Sequence, residues 1–158
     1  MRLYVLSDTH GVIDKALAIY EKLQGVDMIV HLGDMVNDAV KISKITGKET
    51  ISIKGNNDFF NSKEDFQILS TEYGNLLLTH GHRQNVKYNL NNLLYKAEEL
   101  NCKAAFFGHT HMPLYAESKG IYLLNPGSLT FPMDGSNGSY AVVNISKEHF
   151  SASVVFYN

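Results

Sequence analysis

The chain has almost no cysteine: Cys102 is the only one in 158 residues. An internal disulfide framework is excluded, a thiolate-built structural zinc site is disfavoured, and a reducing, cytoplasmic setting is expected. Tryptophan is absent, and the three prolines all lie after residue 110. No repeat, low-complexity tract or Pro/Gly/Ser linker breaks the sequence, so residues 1–158 read as a single domain. Charge of one sign is also lacking: Lys and Arg number 14, Asp and Glu 16, for a net charge of −2. With no basic block, a dedicated nucleic-acid groove or membrane-surface site is not expected. Apolar runs stop at about four residues, as in Ala104-Ala105-Phe106-Phe107, against ~20 for a membrane helix. Asp8 and His10 come too early for a signal-peptide core. No G-x-x-x-x-G-K-[ST] and no G-x-S-x-G occurs, which removes P-loop and serine-nucleophile enzymes.

What is there is histidine, seven residues, in a chain that is 44% hydrophobic. A chain of this size buries roughly 68–70% of its extended surface and needs no metal to fold. Leu3-Tyr4-Val5-Leu6 is an unbroken apolar run, suited to a strand buried on both faces. Ile13, Ala16, Leu17, Tyr20 and Leu23 recur at helical spacing, and Gly25 stops them. Met28-Ile29-Val30 predicts a second strand. Ala39, Ile42 and Ile45 predict a helix ending at Gly47, and 50–53 a third strand. This strand–helix alternation predicts a parallel α/β sheet. Further on, Leu76-Leu77-Leu78 and 104–107 read as strands, with a helix through Leu90, Leu93, Leu94, Ala97 and Leu100 between them. The runs 114–117, 121–124, 140–145 and 150–156 follow without room for helices and predict a second, antiparallel sheet.

The polar clusters sit where these strands end. They are Asp8-Thr9-His10, Gly33-Asp34, Gly55-Asn56-Asn57-Asp58, His80-Gly81-His82 and Gly108-His109-Thr110-His111. Ligands of open α/β sheets bind beyond the carboxyl ends of the strands, so five strand ends converge on one place. The set holds imidazoles, carboxylates and amide oxygens, a mixed N/O group that suits Mn, Fe, Zn or Ni. Asp8, His10, Asp34, Asn56, His80, His109 and His111 are too many for one ion. Two ions sharing one carboxylate would use them all.

In this order the motifs D-x-H, G-D, G-N-x-[DE], H-G-H and G-H-x-H resemble those of the calcineurin-like metallophosphoesterases, in the small single-domain bacterial and archaeal phosphodiesterase branch. Asn125-Pro126-Gly127-Ser128 matches a further loop of that family. The resemblance runs from Asp8 to Ser128. It implies a four-layer α/β/β/α fold, two β-sheets flanked by helices. It implies Asp8, His10 and His111 on one metal, Asn56, His80 and His109 on another, and Asp34 between them. Mn²⁺ is the expected ion, with Ni²⁺, Fe or Zn²⁺ as alternatives. Such a pair, ~3.5–4 Å apart, can clamp a phosphate and lower the pKa of a shared water, so that hydroxide attacks phosphorus near pH 7. The expected substrate is a small phosphodiester. A phosphomonoesterase, or a non-catalytic scaffold like the retromer subunit of this family, is the alternative. A homo-oligomer is left open.

Two departures from the family pattern stand out. Many members carry a leaving-group His after the motif Asn, where this chain has Asn57, which cannot act as an acid near neutral pH. The loop after Ser128 often has a basic residue after a proline, where Pro132 is here followed by Met133-Asp134. His82 and Arg83 are the candidates to donate to, or contact, the phosphate. Asp58 reads as orienting a ligand or tightening its loop, His31 as structural, His149 as a surface residue, and Cys102 as core. Phe59-Phe60 suit a pocket wall or ordinary packing.

Overall fold

A computed structural model describes residues 1–158. The element order is β1 (Arg2–Leu6), α1 (Asp14–Lys22), β2 (Met28–His31), α2 (Val36–Thr46), β3 (Thr50–Ser52), β4 (Phe66–Ser70), β5 (Asn75–Thr79), a 3₁₀ turn (His82–Gln84), α3 (Asn91–Glu99), β6 (Cys102–Phe106), β7 (Leu114–Ser118), β8 (Ile121–Asn125), β9 (Ser139–Ile145) and β10 (Phe150–Phe156). Two five-stranded sheets form, in the orders β10-β9-β1-β2-β3 and β4-β5-β6-β8-β7.

The apolar runs behave as their period dictates. Successive strand residues point to opposite faces. Leu3 and Val5 of β1, with Val30, Leu32 and Ile53, meet Leu76, Leu78, Ala104, Phe106 and Leu124 of the other sheet. Tyr4, Leu6 and Ile29 point the other way, onto Ala16 and Ile19 of α1 and Ile42 of α2. On the far side Leu77, Ala105 and Leu123 pack on Leu93, Leu94 and Ala97 of α3. The result is the expected sandwich, helices–sheet–sheet–helix. Each helix contributes one apolar stripe, and Ile45, on the opposite side of α2, is 63% exposed.

The division of strands differs from the sequence expectation. The last four runs do not make one sheet. β9 pairs antiparallel with β1 (Val5 opposite Ala141) and β10 extends that sheet. β8 lies parallel to β6, and β7 is its antiparallel edge. Alternation reveals which faces are buried but not which distant strand is the partner. β4, an edge strand paired with β5, carries no sequence expectation at all.

Strands β1, β2 and β3 run parallel, as do β5, β6 and β8, so their carboxyl ends emerge together. All the polar clusters follow those ends, and Asn125 closes β8. The sandwich thus puts six loops along one edge of the molecule.

Phe106 is fully buried between the sheets, whereas Phe59 is 74% exposed. Truncating a buried Phe removes its transfer energy and leaves a cavity, at about 3–5 kcal/mol. Urea unfolding should therefore show Phe106→Ala losing about that much stability, and Phe59→Ala less than about 0.5 kcal/mol.

Candidate metal centre

The loops that carry the candidate ligands turn away from their strands through unusual backbone. Asp8, His10, Asp34, His109 and His111 all have positive φ, between 47° and 66°. Non-glycine residues rarely take this left-handed region, which costs of order 1–3 kcal/mol each where the surroundings impose it. Five of the seven candidates hold it, so the fold fixes these side chains at the expense of local ease.

Their ligand atoms meet in two groups, each within 4.8 Å: Asp8, His10 and His111, and Asp8, Asp34 and His80. In the first, His111 Nε2 lies 3.2 Å from Asp8 Oδ1 and 3.4 Å from His10 Nε2. In the second, His80 Nε2 lies 3.4 Å from Asp34 Oδ1 and 3.7 Å from Asp8 Oδ1. Asp34 spans the two, its other oxygen 3.7 Å from His10 Nε2. Asp8 also reaches both. Asn56 Oδ1 approaches His80 Nε2 to 3.0 Å, and the His109 ring centroid stands 5.1 Å from that of His80. His109 is held by its backbone N–H, which donates to Asp8 Oδ2 at 3.0 Å.

At the middle of the group, acceptor atoms face one another. His80 Nδ1 donates to the Leu32 carbonyl at 2.7 Å, and His111 Nδ1 to the Phe131 carbonyl at 2.8 Å. In the neutral ring each Nε2 is then left with a lone pair aimed at carboxylate oxygens. Asp8 Oδ1 is buried and has no hydrogen-bond donor. The Asp8 carboxylate, 3.2 Å from His111 Nε2, raises the pKa of that ring, so the space between the two atoms favours a positive charge, a proton or a metal ion. Lone pairs and carboxylates converge in this way around cations, and backbone carbonyls that fix the ring tautomer are the usual support. The donor set therefore fits divalent ions. Burial alone would raise the Asp8 carboxyl, yet the neighbouring His111 and His80 and the Ser7 hydroxyl hold it down to about 2. Burial, with the charges of His80 and Lys87, lowers His109 to about 4 and keeps its ring neutral.

Two glycines permit the approach. A Cβ at Gly108 would collide with Ser7 Oγ and lie 2.7 Å from Asp8 Oδ2, and one at Gly55 would collide with Asp34 Oδ1. Only a residue without a side chain lets these loops press on the carboxylates.

The remaining predicted residues separate. Asn57 donates to both oxygens of Asp34, from its backbone N–H at 3.0 Å and its side-chain amide at 2.7 Å. Asp58, read from the sequence as orienting a ligand or tightening its loop, binds backbone: it accepts from Met35 and Val36 at the start of α2 and from Gly55. It thereby caps a helix that has no cap of its own and ties the Asp34 loop to the Asn56 loop. Arg83 is 64% exposed and its Nε pairs with Asp65 at 2.8 Å. His82 does stand beside the centre, its ring 5.4 Å from His80, and its Nδ1 is buried without a partner. His149 is exposed and Cys102 buried, as expected. Ser128 Oγ donates to the Asp8 carbonyl at 2.9 Å, and Asn125 Nδ2 to that of Gly108 at 3.0 Å, so their turn clamps two ligand loops.

Sequence reasoning missed a buried relay. His31 Nδ1 accepts from Gly33 N–H at 3.3 Å, its Nε2 donates to Thr9 Oγ1 at 2.9 Å, and Thr9 donates to Asp38 Oδ2 at 2.8 Å. Asp38 also accepts from Gly11 N–H at 2.7 Å. The chain joins the Asp8–His10 loop, the Asp34 loop and α2. Asp38 in the first turn of a helix looks like an ordinary surface acid, and no signal in the sequence marks it as buried.

The chain matches the model of the calcineurin-like phosphoesterase superfamily domain over residues 1–148. It is 31% identical over 159 residues to the probable metallophosphoesterase YsnB of Bacillus subtilis, covering 100% of this chain and 91% of that one. It is 26% identical over 174 residues to the phosphodiesterase YfcE of Escherichia coli, covering 91% and 88%. Among solved structures, a predicted phosphoesterase from Streptococcus pneumoniae superposes with a TM-score of 0.83 at 26% identity, over 98% of this chain and 88% of that one.

His31 gives the site a pH signature. Burial lowers it to about 4, against the nearby carboxylates of Asp8, Asp38 and Asp58, with His80 adding to the depression. Protonation would also break the bond from Gly33. Between about 4 and the ordinary value near 6.5 the unfolded chain binds the extra proton, so stability rises with pH through that window and levels above it. Denaturant unfolding from pH 4 to 8 should show this rise, with His31→Asn flattening it by an amount on the order of 3 kcal/mol. An unchanged slope in the variant would show that His31 is not its source.

Proposed function

Since the chain belongs to the calcineurin-like phosphoesterase superfamily, we propose that it hydrolyses small phosphodiesters at this centre, with two divalent ions, Mn²⁺ as the natural pair. One observation carries the reading: carboxylates and imidazoles from four loops converge in two groups, each within 4.8 Å, around a buried Asp8 Oδ1 that no hydrogen-bond donor answers. We assign Asp8, His10 and His111 to one ion, Asn56, His80 and His109 to the other, and Asp34 to both. Bound there, the ions would supply Lewis acidity toward the phosphoryl oxygens and an activated water.

The chain's own groups do the rest. Asn57, in place of the familiar His, grips both oxygens of Asp34 and sets its orientation. It gives no proton, so the leaving group must depart largely unaided or be served by another residue. His82, with its unpartnered Nδ1, is the residue we assign to donate to the phosphate or the leaving oxygen. A diester with a stable leaving alcohol suits such a site better than a phosphomonoester. Residues 1–158 are read as one domain of this kind, working in the cytoplasm where Cys102 stays reduced. No helix is long and apolar enough to cross a membrane. A scaffold role would leave the unanswered Asp8 oxygen without a purpose, and keeping it buried would be costly.

One assay series tests the reading. Metal-stripped protein is titrated with Mn²⁺, Ni²⁺, Zn²⁺ and Mg²⁺ against bis-p-nitrophenyl phosphate and p-nitrophenyl phosphate. The diester should turn over only with metal, fastest with Mn²⁺, and Asp34→Asn should lose at least about a hundredfold in kcat/KM, the scale of one transition-state electrostatic contact. His82→Ala should slow esters of poor leaving alcohols more than those of p-nitrophenolate. Metal-independent turnover, or none of either ester, would sink the phosphodiesterase assignment.

A further inference from the structure

A groove of about 730 Å³ opens directly off the metal centre, with His109 and His111 in its wall. Sites for small organic ligands span roughly 300–1,000 Å³ and are mostly apolar with a few polar groups. This groove has that composition. Tyr88, Met112 and Met133 line it and are 87%, 51% and 68% exposed. Large apolar side chains gathered at a functional edge, rather than scattered, mark a binding surface. The Met133 backbone N–H donates to the His111 carbonyl at 3.1 Å, so the groove is tied to a candidate ligand loop. Lys87 also lines it, forms no ion pair, and its charge is felt at His109. It offers the cation that the Pro132-Met133-Asp134 loop lacks.

We propose that this groove selects the substrate of the same centre and takes the nucleoside arm of a phosphodiester, its base against Tyr88, Met112 and Met133 and its anionic phosphate drawn by Lys87. The proposal rests on the phosphodiesterase reading. Three features favour a nucleoside over a small or purely alkyl arm. The volume is larger than one ring needs. The exposed Tyr88 ring and the two thioethers offer the stacking and sulfur–aromatic contacts that a flat base accepts. Asn89, also in the lining, accepts the Asn91 N–H at its Oδ1 and keeps its Nδ2 amide to donate to the polar edge of a base. The groove shares His109 and His111 with the centre, so an ester held at the metals can extend along it.

The test keeps one leaving group and varies the retained arm. The Mn²⁺-loaded protein is assayed on p-nitrophenyl esters of thymidine 5′-phosphate, phenyl phosphate and methyl phosphate. The thymidine ester should have the highest kcat/KM, at least tenfold above the methyl ester. Tyr88→Ala and Met133→Ala should remove that advantage through KM and leave the methyl ester unchanged. Lys87→Gln should raise KM for all three alike. These side chains are exposed, and far-ultraviolet circular dichroism checks that the variants fold. Equal rates on the three esters, a phenyl ester as good as the thymidine ester, or a thymidine preference that survives Tyr88→Ala would each overturn the proposal. A calorimetric arm separates it from the reading beneath it. Thymidine 5′-monophosphate should bind more tightly than methyl phosphate in the wild type and not in Tyr88→Ala. That result without turnover of any ester would defeat the phosphodiesterase reading and leave the groove standing, and no such difference would defeat the groove.

Discussion

The carboxylate of Asp8 is the constraint on which the rest of the centre depends. It is fully buried, and one of its oxygens has no donor. A charge taken out of water needs a partner, and the hydrogen bonds to its other oxygen, from Ser7 and from the His109 backbone, account for only half of it. The unanswered oxygen, carried by the loop after β1, faces two imidazole nitrogens from the other sheet, His80 at the end of β5 and His111 after β6. Everything nearby serves that convergence: glycines at 55 and 108 that admit the loops, left-handed backbone that turns the side chains inward, and the Asn125–Ser128 turn that clamps the loops from behind. The two-sheet sandwich supplies the rigidity, because six parallel-strand ends cannot be brought together by loops alone.

Strain and burial of this kind work against folding. Left-handed residues, a buried relay through His31, Thr9 and Asp38, and a donorless carboxylate are each locally unfavourable. They persist because the apolar residues between and outside the sheets hold the strand ends in place. Sites with geometry fixed ahead of ligand binding commonly trade stability for position. Here the ligand loops carry little apolar side chain of their own, and the core carries the burden for them.

The sequence made the ligand loops legible because each motif follows an apolar run, and that order survives folding. It also showed the helix stripes, since Ala16, Ile42 and Leu94 recur at helical spacing. Pairing across distance was not legible. Nothing local in Tyr140–Ile145 says that it lies against β1 rather than β8, and the edge strand Phe66–Ser70 has too little alternation to stand out. The supporting residues were harder still. Asp58 was legible as a residue that orients a ligand or tightens its loop, but its binding of backbone N–H groups from two loops at once was not. Arg83 follows His82 in the sequence, but its pairing with Asp65 on the surface had no local signal. Asp38 and Thr9 carry no motif, and only the fold brings them under His31. The Tyr88–Met133 groove joins segments 45 residues apart in sequence and has no signature in either.

The central claim is that these loops hold two cations that share Asp34. Anomalous diffraction from crystals grown with Mn²⁺ tests it most directly. The account predicts two peaks about 3.5–4 Å apart, the spacing of dinuclear hydrolytic sites, one beside Asp8, His10 and His111 and the other beside Asn56, His80 and His109, with Asp34 touching both. A single peak, or none at these residues under saturating metal, would contradict it.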